Sequence, residues 1–452
     1  MRLDPLHWEI PSTIDLESYL NQYPPNFKYK IDHFYYIIEY LALGMEKDDI
    51  DKNRGYVNVN ATKLQSRIHS YKQYLDHLLK HNFIITDGIY ITGQKSRGYL
   101  INGYSSKEPT EVHSIPIKDN VVKKNRNKII QEYNKKICET EKKYNHLTKW
   151  FNKNLKIDYK QAVNEIPKLY PPYPRLIGGP KWYEASRTTK MMIASMSVYK
   201  FFKQHFYYQV DENVTRFHSN LTNLKKELRN HITYNGNKLV NIDIKNSQPL
   251  FSLILFQPEF YNPKSLHNIH SYSHIFNSIP SLTSNSFSLM LEEFLKTSNK
   301  QAFEEYSDMV NSGEFYKCLF NKMYPNTNYD KKRVKTMVFT VFFSDNRFIG
   351  QRKAIPKKDF KKTFPEVYKV FSLIKKKDKR ILARILQSIE SNVIINKVTK
   401  RISIENPKLP IFTIHDSVTT INGYEDYVAS VIKEEVKNLT GLDVKLGYEY
   451  WG

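Results

Sequence analysis

Two cysteines, Cys138 and Cys318, are all that the 452 residues contain, too few for a disulfide framework or a cysteine-rich zinc site and in keeping with a reducing compartment. No apolar run is long enough to span a bilayer, and Met1 to Ile10 has no signal-peptide core. These absences predict an intracellular, soluble protein of the cytoplasm with no membrane partner. Acidic residues are the minority charge, 46 Asp+Glu against 69 Lys+Arg, for a formal +23. Such an excess attracts nucleic-acid phosphates whatever their sequence, although an A+T-rich coding bias toward Asn, Ile, Tyr and Lys yields the same composition. There is no internal repeat and no extended low-complexity tract. The length allows two or three domains with cores of their own.

Residues 1–105 read as a small module. Ile31 to Met45, Ala61 to His69 and Ser70 to His81 have helical periodicity, after which the period changes to alternation. Phe83 to Ile91 reads as a hairpin turning at Asp87-Gly88, with Lys95 to Ile101 as a returning strand. Helices followed by a hairpin match the pattern of a winged-helix module that docks nucleic acid or protein, with Lys63, Arg67, Lys72, Lys95 and Arg97 available for phosphates. Residues 106–205 form a basic helical linker or thumb-like arm. Within it, Pro167 to Pro180 holds five prolines and two glycines, so the chain must leave helix there. Residues 206–452 are then the compact catalytic region.

Two stretches of that region each read as a buried strand delivering one aspartate: Lys238 to Ile244, with Asp243, and Leu409 to Val418, with Asp416. An aspartate at the end of an apolar strand is costly to bury, and two brought together repel unless cations sit between them. That is the arrangement of a two-metal phosphoryl-transfer site. Between them, Lys331 to Ser344 reads as a helix on which Lys331, Lys335, Phe339 and Phe343 recur every fourth residue in one slowly drifting stripe. Lysines at one end suit the phosphates of a nucleoside triphosphate, and rings at the other suit its base. Phe342 reads as core.

Taken in order, Asp243 with Ser247 and Gln248, Lys335 with Phe339 and Phe343, and His415-Asp416 look like motifs A, B and C of the family A DNA polymerases and the related phage-type single-subunit RNA polymerases. The chain resembles that family from roughly Arg216 onward. The resemblance implies an α+β fold, a right-hand palm on an antiparallel sheet with helical fingers and thumb. It implies that Arg216 touches the primer–template minor groove, that Gln387 lies on a helix against the nucleic acid, and that Gln248 is among the nucleotide-binding residues. Asp243 and Asp416 would each bind two Mg2+ ions, with Mn2+ as a substitute, helped by the backbone carbonyl of Ile244. His415 would support the turn or the primer strand rather than ligate metal. The chain departs from the DNA polymerase pattern at Ser417, where glutamate is usual, and in the spacing Asp243 to Gln248. Phe343 replaces the usual tyrosine, and Ser344 stands where a glycine normally follows. No segment has the acidic spacing of a proofreading exonuclease.

The reading is a template-directed nucleotidyltransferase, a DNA polymerase of family A type extending a 3′ end on primer–template DNA, suited to replicating a small genome or mobile element. RNA as template, an RNA polymerase or primase, and a non-catalytic DNA-binding replication initiator on a degenerate polymerase fold are the alternatives. A metal-dependent nuclease would use the aspartates but not the lysine and phenylalanine stripe.

Overall fold

The computed structural model describes residues 4–44, 54–92, 95–102, 111–172, 182–261, 285–325, 327–328, 330–441 and 443–452. The junction expected at 105 and most of the proline-rich stretch, from 173 on, lie outside these residues. The fold is α+β with antiparallel sheets. It divides into two compact units, one of residues 1–209, 219–238 and 451–452, the other of residues 210–218 and 239–450. The described residues 111–172 and 182–205 fall within the first of these units. Among the described residues no helix is long and apolar enough to cross a membrane.

In the first unit, strand β1 (His7–Pro11), helix α1 (Ile31–Leu43), strand β2 (Val57–Asn58), helices α2 (Ala61–Arg67) and α3 (Tyr71–Lys80) and strands β3 (Ile84–Thr86), β4 (Gly98–Ile101) and β5 (Val112–Pro116) precede helices α4 (Asn120–Lys143), α5 (Tyr159–Leu169) and α6 (Trp182–Phe202). Strands β2, β4 and β3 make one antiparallel sheet in that order, and β1 pairs with β5. Phe34 and Ile38 of α1, Leu78 of α3 and Ile84 and Ile101 of the sheet share one core, into which α6 sends Met192 and Met196. Pro167 does not end α5, which continues to Leu169; in the last turn a proline removes only one hydrogen bond.

The expected Asp87-Gly88 hairpin is not formed. Strand β3 pairs with β4, Ile84 opposite Ile101 and Thr86 opposite Tyr99, so Ile89 to Ile91 lie in a longer loop. Asp87 is the reason. Its carboxylate accepts from the N–H groups of Ile89 and Gly98 at 3.0 and 2.9 Å and from Lys95 Nζ at 2.6 Å, bracing the base of that loop instead of turning a tight hairpin. A Cβ on Gly98 would stand 2.7 Å from that of Tyr56, which keeps this position glycine.

Helix α4 explains why the basic segment joins the first unit. Its side chains are mostly exposed, yet Arg126 is 3% exposed, stacked 4.6 Å over the Trp8 ring and donating to Glu39 at 2.7 and 2.9 Å. Burial pushes the Glu39 carboxyl up, and Arg126 opposes that shift.

Strand β6 (Leu155–Ile157) pairs with β7 (Ile232–Tyr234), whose Tyr234 and Thr233 face Asn237 and Lys238, the first residues of strand β8 (Asn237–Ile244). The rest of β8 belongs to the second unit, in an antiparallel sheet ordered β9 (Ile411–Ile414), β10 (Ser417–Ile421), β8 and β11 (Leu446–Tyr450). Val240, Ile242 and Ile244 alternate with Asn241 and Asp243 along β8, the period of two that sorts side chains to opposite faces. Among the helices of this unit are α7 (Ser247–Ser252), α8 (Phe315–Met323), α9 (Lys331–Phe343), α10 (Pro365–Ile374), α11 (Arg380–Ser391) and α12 (Glu425–Thr440), with seven residues of π-helix, Asn392–Val398, continuing α11.

Two buried lysines close the C-terminal end of α9. Lys375 Nζ donates to the carbonyls of Val341 at 2.6 Å and Ser344 at 3.2 Å; Lys357 Nζ donates to Ser344 Oγ at 3.1 Å and to the Asp345 carbonyl at 2.7 Å. Cations here satisfy orphan carbonyls and complement the helix dipole. Burial, and then the neighbouring Lys357, push Lys375 down to about 7.

Two expectations follow. Arg126→Ala should destabilise the first unit by about 3–5 kcal/mol, because an unpaired carboxylate is left buried; in urea unfolding, Glu39→Gln with Arg126→Met should cost much less. Unfolded Lys375 keeps its proton up to the ordinary 10.5 and the folded residue releases it near 7. The unfolded state thus binds more protons between those values, so this residue makes stability rise with pH across that window. Lys375→Met should flatten the rise in a series of unfolding midpoints.

Candidate active site

Asp243 is the penultimate residue of β8, and the chain leaves the strand through Asn246, at φ 56°, into α7. That turn sets Ser247 and Gln248 close behind the aspartate. The β9–β10 hairpin pairs Ile414 with Ser417, so His415 and Asp416 are its two-residue connection, and His415 takes the positive φ of 56° that such turns need at their first position. Asp243 lies directly opposite Ser417. The hairpin therefore carries Asp416 to the strand end that carries Asp243.

Below the aspartates the shared face of the sheet is polar. Asn241 Oδ1 accepts from Ser417 Oγ at 2.8 Å and from Thr419 Oγ1 at 2.7 Å. Ser417, 2% exposed, is thus committed to the sheet.

These elements open on a cleft of about 670 Å3. Of the residues singled out in the sequence, Arg216, Asp243, Ile244, Gln248, Lys331, Lys335, Phe339, His415 and Asp416 all line it. Helix α9 supplies one wall, with Lys335 Nζ 5.7 Å from the centre of the Phe339 ring. Phe339 is 37% exposed, whereas Phe342 is fully buried in the core. The His415 ring meets His218 edge-on at 6.3 Å, and His218 in turn stands 3.8 Å from Asp211.

Two expected residues do not line the cleft. Phe343 is half-buried, its ring 5.6 Å from Phe339 and edge-on to Phe342 at 5.9 Å. A four-residue spacing overshoots the helical turn, so twelve residues after Lys331 the stripe has rotated by about 120°. Gln387 is half-buried too, and its helix reaches the cleft through Glu390 instead. The N-terminal candidates belong to the first unit. Lys63, Lys72 and Arg97 are exposed there and Arg67 is half-buried, but Lys95 is held by Asp87 in the ion pair described above and is not available to a phosphate.

Glu390 is the main residue the sequence reading passed over. It is 1% exposed, and Oε1 accepts from Arg216 through Nε at 3.2 Å and Nη2 at 2.5 Å, while Oε2 accepts from Gln248 Nε2 at 2.5 Å and faces Ser247 Oγ at 3.5 Å. Burial, and then the charge of Asp416, push its carboxyl up to about 7 against the pull of Arg216. The signal was there: one acidic residue on a helix whose Ile381, Leu382, Ile385, Leu386 and Ile389 are all buried. Glu314, Tyr316 and Lys317, at the start of α8, also line the cleft and have no comparable sequence signal.

The donor chemistry suits a hard cation. Among the described residues no three His, Cys, Asp or Glu side chains converge as a protein-only metal centre. Two aspartates and a carbonyl, completed by water and phosphate oxygens, are the kind of set that Mg2+ accepts.

No known protein family matches the chain, and no curated protein does. Among solved structures, the POL domain of Pol1 from M. smegmatis, in complex with DNA primer-template and dNTP, aligns at a TM-score of 0.32 with 11% identity, covering 61% of this chain and 53% of that one. The chain thus spans about half the length of that neighbour.

Proposed function

We propose that the second unit is a template-directed nucleotidyltransferase, a DNA polymerase that adds nucleotides to a 3′ end. One observation carries the reading: Asp243 and Asp416 reach a single cleft from adjacent strands, and the wall of that cleft presents Lys331, Lys335 and Phe339. Paired carboxylates alone would serve hydrolysis equally well. The lysine and phenylalanine wall favours a nucleoside triphosphate as the substrate.

In this reading Asp243, Asp416 and the Ile244 carbonyl would hold two Mg2+ ions, which would supply activation of a 3′-hydroxyl and charge neutralisation of the leaving pyrophosphate. Lys331 and Lys335 hold the triphosphate as point charges on flexible stems. Phe339 lies under the base, where stacking contributes about 1–3 kcal/mol. Both aspartates stand on sheet elements, which fix geometry better than a free loop. In the first unit, Lys63, Lys72 and Arg97 are the exposed cations assigned to docking of primer–template nucleic acid, with replication of a small genome or mobile element as the setting.

Purified protein with Mg2+, a labelled primer on DNA and RNA templates, and dNTPs or NTPs supplied separately tests the proposal. Asp243→Asn and Asp416→Asn should each lower extension by at least about 100- to 1000-fold, the scale of losing charge stabilisation at a reacting phosphate. Lys335→Ala should lower kcat/KM for the nucleotide by about 10- to 100-fold, mainly through KM, as expected for a lost charge-assisted hydrogen bond. Extension that survives both aspartate replacements, or tight nucleic-acid binding with no synthesis on any template, would overturn the reading.

A further inference from the structure

We infer that the first unit holds a duplex-DNA site of its own, in which α3 lies in the major groove while the apolar loop segment Ile89-Tyr90-Ile91 wedges into the adjacent minor groove and unstacks a base step. The inference rests on the nucleic-acid docking given above to the first unit and not on the chemistry of the cleft.

Helices α2 and α3 are joined by three residues, Ile68 to Ser70, and Ser70 takes a φ of 59° that turns the chain sharply. A connection of that length fits a helix-turn-helix, whose second helix enters the major groove of DNA. Helix α3 is sided accordingly. Tyr74, Leu75 and Leu78 are buried, while Lys72, Gln73, Asp76 and Lys80 are exposed at spacings that share one face. An amide suited to adenine and a carboxylate suited to the amino group of cytosine stand there between two lysines. On a face meant only for phosphates an aspartate would oppose binding; on one meant for base edges it has a partner.

The loop between β3 and β4 has its foot beside these helices. Arg97 donates to the Tyr99 hydroxyl, on which Asp76 and Tyr71 of α3 also act, and the Arg97 carbonyl accepts from the Val59 N–H at 2.9 Å, just ahead of α2. Within the loop Ile89, Tyr90 and Ile91 are 41, 62 and 45% exposed. Three consecutive apolar side chains left in water are out of place on a surface unless they have a function. Their backbone is already ordered. The Asp87 carboxylate accepts from the Ile89 N–H at 3.0 Å, and Ile91 and Lys95 exchange backbone hydrogen bonds of 2.9 and 2.8 Å. A segment held in this way gives up little freedom on binding. Charge selects the occupant. Asp87 is neutralised by Lys95, which leaves Arg97 at the loop's foot and Lys63, Lys72 and Lys80 on the two helices as exposed cations. Cations on the backbone with apolar side chains pushed between base steps are the means by which proteins open and kink the minor groove.

The test uses the full chain, without Mg2+ or nucleotides, on duplexes of varied sequence that carry 2-aminopurine beside a central TA step, a step that unstacks easily. Binding should raise the 2-aminopurine fluorescence. Ile89→Ser, Tyr90→Ser and Ile91→Ser together should abolish the rise and weaken binding by about tenfold or more, with the slope of log K against log salt unchanged. Lys63→Ala should instead keep the rise and reduce that slope by about 1, as expected for one lost phosphate contact. Gln73→Ala with Asp76→Ala should narrow the spread of affinities across the duplexes by about tenfold. All of these positions are exposed, so the variants should keep the circular dichroism of the parent. Binding without a fluorescence rise, or a rise that survives the triple serine variant, overturns the wedge; an unchanged spread overturns the placement of α3. A wild-type protein that leaves duplex DNA unbound overturns the whole site and makes a protein the partner of the loop. Primer extension by the same preparation is scored separately, so the polymerase reading stands or falls on its own.

Discussion

The registration of β8 against the β9–β10 hairpin is the constraint on which the candidate site depends. Side chains alternate along a strand, so a slip of one residue would send Asp243 to the opposite face and bring Ile242 or Ile244 into the cleft. Asn241 opposes that slip. Its amide oxygen accepts two hydroxyls from the hairpin, Ser417 and Thr419, and a displaced strand would leave these buried groups without partners. The two-residue connection at His415 and Asp416 then permits one reach only, since a longer loop would let the second aspartate wander.

Charge is the second organising factor. The cleft gathers Asp243, Asp416, Glu390 and Glu314 on one side of the balance and Arg216, Lys245, Lys317, Lys331 and Lys335 on the other. Glu390 is the fully buried one of these carboxylates and is paired with the Arg216 guanidinium, while Lys317 stands 3.6 Å from Glu314. The exposed lysines remain at the ends of flexible stems, where a phosphate can draw them in at little cost. Behind α9, Lys357 and Lys375 are spent on carbonyls, so they anchor the helix that displays Lys331 and Lys335. The same residue type is buried and bonded to carbonyls at one end of this helix and exposed at the other.

Much of this was legible from local pattern. An apolar alternation ending in Asp243 reads as a strand, and Ile414-His415-Asp416-Ser417 between two such runs reads as a hairpin tip, because both signals fit within ten residues. Helix α9 was legible from its spacing, but its stripe was followed one step too far, to Phe343, where helical rotation had already carried it off the face. Pairings between remote segments were not legible. Nothing near Glu390 announces Arg216, and nothing near Arg126 in its run of Lys, Asn and Glu announces Glu39. The Asp87-Gly88 turn failed for a related reason: a dipeptide sets a preference, and the carboxylate of Asp87 found better partners in Gly98 and Lys95.

The π-helical residues after α11 bear on how this chain can change in length. A π segment holds its extra residue per turn under strain, and loss of one residue would let the stretch close into ordinary α-helix. Everything on one side of the lesion would then turn by about 100° relative to the other. With Thr399 and Ile402 of the following helix, Thr399–Glu405, buried in place, the side that turned would be the one carrying Glu390. A single-codon deletion well outside the cleft could thereby detach Gln248 and Arg216 together, with every residue lining the cleft still present in the sequence.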